Sequence, residues 1–454
     1  MFVELTDTIA SNPPALHYGV AALDVDGDGR IEFFVAGFGY PNRVLKWVNG
    51  GLVDIASTSL ADADRLSLGV AAGDLDGDGR EEIYVLNTDT FSGPKQIADR
   101  LFRARPDGQW DDLFSKPAYR SLQNLVAGRS VAAIDRRGTG RYGFFVANYG
   151  RPMRLFELGA DNRLTDSAPT LGLDRATGGR GLWVGPFASD RSDIICINEQ
   201  GPNFLFKNDG SGRFRDAAED YRITDFEEHG RGVTVLDADG DGRLDLCYGN
   251  WDGPNRLMIR QPDGTFQDRA SPALAFPGSI RTVLGADFDN DGAEELFFNN
   301  IGESNRLFAR RDGDWRMQDP GPASEPLGRG TAAAVADIDG DGILELLIAH
   351  GEDVPQPLSL YKIPNQNAWV RIAPLTRFGA PARGALVKLV ADGRTQLRVI
   401  DGGSGYLCQM EPVAHFGLGE VKSVDSVSVT WPDGARQIVR DVRLRETLVM
   451  KHPG

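Results

Sequence analysis

The chain is 454 residues long, with 41 % hydrophobic residues, a formal net charge of −16 and three cysteines. This length exceeds one ordinary domain and supplies ample material for a core. The acidity argues against nucleic acid as a partner, no run reaches transmembrane length, and Cys196, Cys247 and Cys408 form neither a disulfide framework nor a metal-ligand spacing.

In chain order, Met1-Phe-Val-Glu-Leu5 reads as a short strand that starts at the first residue. No signal peptide is therefore expected, so either a leader has been trimmed or the protein stays in the cytosol. Next come two short apolar runs, Val20-Ala-Ala-Leu23 and Phe33-Phe-Val-Ala36, flanking an acidic turn. Asp24, Asp26 and Asp28 alternate along it, Gly29 lets it double back and Glu32 closes it, with the carbonyl of Arg30 as a further ligand. The same nonapeptide returns as Asp74, Asp76, Asp78, Arg80 and Glu82. Two worn copies follow. Asp135-Arg-Arg-Gly-Thr-Gly-Arg-Tyr-Gly143 keeps its glycines but loses three acids. We expect its turn to survive, with the Arg137 guanidinium neutralising Asp135. Gly185-Pro-Phe-Ala-Ser-Asp190-Arg-Ser-Asp193 keeps neither glycine spacing nor ligand set and is expected to bind no metal. Three intact copies close the series: Asp237, Asp239, Asp241, Arg243 and Asp245; Asp287, Asp289, Asp291, Ala293 and Glu295; Asp337, Asp339, Asp341, Ile343 and Glu345.

Acids at positions 1, 3, 5 and 9 with a carbonyl at position 7 suit a hard, oxygen-seeking cation, and the carboxylate-rich shell favours Ca2+ over Mg2+. About five calcium sites are expected. An EF-hand would need its last acid at position 12 and helices on both sides. The five loops carry four acids each, which accounts for the whole excess of negative charge; five calcium ions would leave about −6. Ion-free loops should be less stable, with raised carboxylate pKa values.

The rest of each unit adds two strands. A third begins near Asn42-Arg-Val-Leu45, Arg100-Leu-Phe102, Asn203-Phe-Leu-Phe206 or Asn305-Arg-Leu-Phe308, and an Asp-Gly turn leads to a fourth, as at Asp263-Gly-Thr-Phe266. Four antiparallel strands repeated at this period read as a β-propeller blade. Counting the worn copies gives seven units. The seventh lacks its fourth strand, so Met1–Leu5 is expected to complete it and seal the ring. From Asn367 onward the chain reads as strands, expected to form a small β-sandwich packed on the ring but separate from it. The fold class is all-β: a seven-bladed propeller over residues 1–363, then a sandwich-like domain over 367–454.

Residues 1 to about 363 resemble the integrin-α-like FG-GAP/VCBS family of calcium-binding propellers. The tail resembles the ASPIC/UnbV domain of cartilage-acidic-protein-like proteins through Asn367 and Trp369, Arg383-Gly-Ala385, Gly402-Gly-Ser-Gly-Tyr406 with Gln409, His415-Phe-Gly-Leu-Gly419 and Trp431-Pro-Asp-Gly434. The resemblance implies a secreted or periplasmic protein associated with adhesion or interaction. Weak turn-type calcium sites also favour export.

Topology puts the calcium turns at one end and the loops leading into the inner strands at the other. Those loops carry Arg129, Arg180, Arg231, Arg281 and Arg329, with His17 and His229 beside them. His350 and Trp251 leave the second strands. A ring of guanidiniums at the channel mouth reads either as a site for an anionic group or as bridges between blades. The function expected is a calcium-stabilised binding module for a protein, glycan or small anionic ligand. The alternative is a propeller enzyme, such as a cyclase or alkylase, although no nucleophile elbow, catalytic zinc motif or nucleotide loop is present.

Overall fold

The computed structural model describes residues 1–454. The first unit pairs His17–Leu23, Glu32–Gly37, Arg43–Val48 and Gly51–Asp54 in that order. The units built on Ser67–Gly73, Gly230–Leu236 and Ile280–Ala286 repeat this order in sheets of their own. Those built on Gly128–Ile134 and Ala176–Pro186 merge into one eight-stranded sheet, because Tyr149–Pro152 continues outward and pairs with Ala176–Gly178. In the last unit, Gly330–Ala336, Glu345–His350 and Ser359–Lys362 take Val3–Glu4 as the outer strand. The inner strands touch in sequence order around a ring, and the last touches the first.

Local chemistry explains each joint. In the acidic turns the first Asp folds its own loop: Asp24 accepts from the N–H of Gly27 at 2.7 Å and of Gly29 at 2.8 Å. Gly29 has φ 85°, in the left-handed region that favours glycine. At the other end, Asn42, Asn203, Asn255 and Asn305 each accept from the N–H where the second strand ends and donate to a carbonyl of the segment after the fourth strand. The core lies between neighbouring units. Across the closure, Val20, Phe33 and Leu45 of the first pack with Leu347 and Leu358 of the last.

The tail forms two sheets. Ala368–Leu375 lies between antiparallel Ala414–Gly419 and parallel Thr447–Lys451, and Arg394–Val399, Leu386–Ala391, Ser426–Thr430 and Arg436–Val439 form the second. Val370, Val387, Phe416, Val427 and Trp431 are buried between them.

The tail is not separate from the ring. Residues 402–411 enter the central channel and pair with the inner strands. Gly402 donates to Val184 at 2.8 Å and accepts from Ala133 at 2.7 Å. Gly405 donates to Val233 at 2.7 Å, and Gln409 donates to Val20 at 3.0 Å. A Cβ on Gly402 would lie 1.9 Å from the Ala133 carbonyl oxygen, so the plug fits only with glycine there. The body of the tail covers the end that carries the acidic turns. Arg371 reaches Asp337 at 2.9 Å and also pairs with Glu411, Arg383 pairs with Glu81 at 2.6 Å, and the Gly417 N–H donates to Asp287 at 2.9 Å.

Candidate functional site

Five clusters of carboxylates lie in the acidic turns, each with ligand atoms within 4.8 Å of one another: Asp24, Asp26 and Glu32; Asp74, Asp76 and Glu82; Asp237, Asp239 and Asp245; Asp287, Asp289 and Asp291; Asp337, Asp339 and Glu345. In each, one oxygen of the ninth residue accepts a backbone N–H, as Glu32 does from Val25 at 2.8 Å. Asp287 Oδ1, Glu295 Oε1 and Asp337 Oδ1 are buried and make no hydrogen bond. Orphaned buried carboxylate oxygens that converge in a turn fit a hard cation. The positions-5 acids Asp28, Asp78, Asp241, Asp291 and Asp341 accept from the N–H of Arg30, Arg80, Arg243, Ala293 and Ile343, which shapes the turn around the cluster. Burial, then the neighbouring acid Asp76, pushes Glu82 up to about 9, and burial pushes Asp74 up to about 7. Lys46 and Lys362 each point their ammonium at three of the acids of their own loop.

At the opposite end every inner strand starts with an irregularity in register. The residue bulged there is Tyr18, Leu68, Arg129, Arg180, Arg231, Arg281 or Thr331, and a bulge re-aims its side chain. Tyr406, at the tip of the plug, comes up inside this ring, and its hydroxyl accepts from Arg180 Nη1 at 3.0 Å. Burial would raise its pKa, but Arg180, Arg281, Arg129 and Arg231 outweigh it and lower the value. Glu199 accepts from Arg180 Nε at 2.6 Å and Arg231 Nη2 at 2.9 Å, and these cations hold it down to about 2 against its burial. Arg281 donates to Glu352 at 2.7 Å. Phe91 and Tyr149 flank Arg129 and Arg180, and Trp251 lies 4.9 Å from Arg281 and 5.3 Å from Arg231, distances of cation–π contact. A cavity of about 270 Å³ opens beside Tyr406.

The FG-GAP-like repeat profile matches residues 24–85, 190–248, 237–298 and 287–348, and the ASPIC and UnbV profile matches 376–454. Cartilage acidic protein 1 of Xenopus tropicalis is 49 % identical over 479 residues, covering 96 % of this chain and 74 % of its own. The Homo sapiens protein of that name is 46 % identical, covering 97 % and 73 %. The chain belongs to the cartilage acidic protein family. The BP39L lectin of Burkholderia pseudomallei shares the fold at TM-score 0.50 and 13 % identity, covering 77 % of this chain and 99 % of its own.

Within this member of the cartilage acidic protein family, four of the five expected arginines meet at the mouth. Arg329 does not: it lies two residues before the bulge, is more exposed and faces Asp353 at 3.6 Å, while Thr331 takes the ring position. Counting six residues back from each loop's first Asp finds Tyr18, Leu68, Arg129, Arg231, Arg281 and Thr331, a signal that searching for arginine alone missed. His17 is buried, with Nδ1 unpartnered. His350 bonds Pro357 and Glu325, and His229 is exposed beside the mouth. Glu352, Phe91 and Tyr406 were not anticipated, since each reaches the ring from another unit or from the tail; Glu199 was not singled out either, although it directly follows the second strand of the unit that carries Arg180. In the worn turn, Asp135 is held by the N–H groups of Arg137, Thr139 and Gly140, not by the Arg137 guanidinium. Asp193 is saturated by the N–H groups of Phe187, Ala188, Ser189 and Asn208.

Proposed function

We propose that this chain is a calcium-stabilised interaction module that recognises a protein, glycan or anionic ligand with the face opposite its calcium loops. About five Ca2+ ions would be held by the five acidic turns, supplying charge compensation and cross-linking of each inner hairpin. The two parts would be a ring of residues 1–363 and a tail of 367–454, and calcium use favours an extracellular or periplasmic setting.

The observation that carries this reading is the tail's position. It covers the acidic-turn end, so the free face is the one with the arginine mouth. The loops leading into the inner strands there leave Phe226, Phe276 and Leu327 more than three-fifths exposed. Apolar side chains gathered around a polar centre mark an interaction surface.

The test compares two sets of substitutions in calcium-loaded protein, on a glycan array and a panel of extracellular protein domains. Phe226→Ser with Phe276→Ser and Leu327→Ser should abolish hits, whereas Ile438→Ser with Val449→Ser in the tail should not. Hits that survive the first set, or vanish only with the second, overturn the reading. An enzyme remains the second reading, favoured by one feature: two phenols, two carboxylates and three guanidiniums line one cavity.

A further inference from the structure

The cavity at the mouth has two unlike sectors. Tyr18, Phe38 and Leu68, from the first two units, supply an apolar wall, whereas Arg129, Arg180 and Arg281 supply a cationic one. The ion pairs there do not balance. Glu199 is shared by Arg180 and Arg231, Glu352 takes Arg281, and Asp89, also in the cavity lining, accepts from the Gln96 N–H and pairs with no arginine, so Arg129 has no acid partner. Its side chain is buried, its Nη2 donates to the Phe91 carbonyl, and its Nε makes no hydrogen bond. Buried charges in proteins are ordinarily paired, because an unpaired one loses its hydration without compensation. Arg129 is therefore a cation prepared for an anion that the chain does not supply.

We propose that the mouth binds an organic carboxylate, with its charged group on Arg129 and its apolar body on Tyr18, Phe38 and Leu68. This rests on the mouth being the binding face, and it narrows what that face takes. An inorganic anion would satisfy the guanidiniums but leave the apolar wall wet, and an uncharged aromatic would leave Arg129 unpaired. A cavity of about 270 Å³ admits one ring and one carboxylate, not a nucleotide or an oligosaccharide. Guanidinium planes clamped against Phe91 and Tyr149 are held in orientation before the ligand arrives, which lowers the cost of binding. The carboxylate can come from a free small acid or from the end of a peptide.

The experiment is calorimetric titration of the calcium-loaded full chain with phenylacetate, phenylacetamide, sodium sulfate and a peptide ending in phenylalanine, free or amidated. Phenylacetate should bind at least tenfold more tightly than phenylacetamide or sulfate. Arg129→Gln should remove that preference, and Arg329→Gln, outside the ring, should keep it. A free-ended peptide that binds more tightly than both its amide and phenylacetate points to a chain end as source; one that does not points to a small acid. Leu68→Asn, which leaves every charge in place, should weaken phenylacetate tenfold and leave sulfate unchanged, and so decides the matter if Arg129→Gln does not fold. Equal binding of acid and amide, sulfate as tight as phenylacetate, or no saturable binding of either carboxylate overturns the inference. If the rim substitutions abolish macromolecular hits while no carboxylate binds, the interaction face stands and only the carboxylate assignment falls.

Discussion

The side-chain amide of Gln409 pairs with both backbone groups of Ala72, accepting from its N–H at 2.8 Å and donating to its carbonyl at 2.9 Å. The backbone of Gln409 meanwhile pairs with Val20 and Ala22. One tail residue thus behaves as a strand toward the first unit and imitates one toward the second.

Replacing that amide should be costly. Gln409→Ala leaves a buried N–H and a buried carbonyl unpaired, at ~1–3 kcal/mol each, so we expect a loss of ~3 kcal/mol or more in urea unfolding with calcium present. Gln409→Glu keeps an acceptor for the Ala72 N–H but loses the donor to its carbonyl. It should be destabilised too, and should recover partly at low pH, where a protonated carboxyl can donate.

The acidic turns should differ in what they hold. Asp239→Ala is expected to remove one calcium ion from the titration and leave the tail as resistant to protease as before. Asp337 also carries the ion pair to Arg371 at 2.9 Å, so Asp337→Ala should remove one ion and expose the tail to cleavage. If either change emptied every loop, the sites would form one cooperative unit instead of five independent ones. Full chelation should lower the melting temperature of the whole ring.

His17 sets an acid limit on stability. Burial, then the charges of Arg43 and His350, pushes its imidazole down to about 3. The unfolded chain takes up that proton near pH ~6.5 and the folded chain does not, so the folded state loses ground as pH falls from there toward 3. His17→Gln should remove about 2 kcal/mol of the decline between pH ~7 and ~5, measured by denaturant unfolding in saturating calcium. Parallel curves for the two proteins would show that the ring is not buried neutral.

Tyr406 should ionise earlier than an ordinary tyrosine. The four arginines that face it outweigh its burial, whereas burial raises Tyr84, Tyr142 and Tyr248 well out of the same window. A phenolate component that titrates ahead of the other tyrosines in the native protein and is missing in Tyr406→Phe is the expected outcome. Arg180→Gln should move that titration upward.

The parts of this fold readable from sequence are those whose determinants lie close together in the chain. An acidic turn carries its own carboxylates and glycines within nine residues, with its two strands directly on either side, so composition and spacing suffice. Arg129, Arg180, Arg231 and Arg281 were legible for the same reason, because each stands at a fixed offset from an inner strand. Arg329 misled because it lies two residues short of the bulge, an offset that residue type alone does not reveal. The plug was not legible at all. Gly402 reads as part of a motif of the tail, but nothing near it in sequence signals Ala133 and Val184 as its partners. Tyr406 joined the mouth unannounced on the same account, whereas Glu199 meets Arg180 within one hairpin and waits only for the next unit to supply Arg231.

The insertion of residues 402–411 also bears on time. Ala72 waits for a partner 337 residues further along the chain, and Val3–Glu4 waits for Tyr361 and Lys362. During synthesis the early units emerge with their inner strands incompletely paired, and a segment made only after the whole ring completes them. Contacts of such long sequence separation form slowly. Once formed, the inserted segment can leave only by breaking pairings to several units together, so opening should be slow as well. A chain ending at residue 363 should fold sooner but come apart faster, its channel filled with water where the full chain has Gln409 and Tyr406.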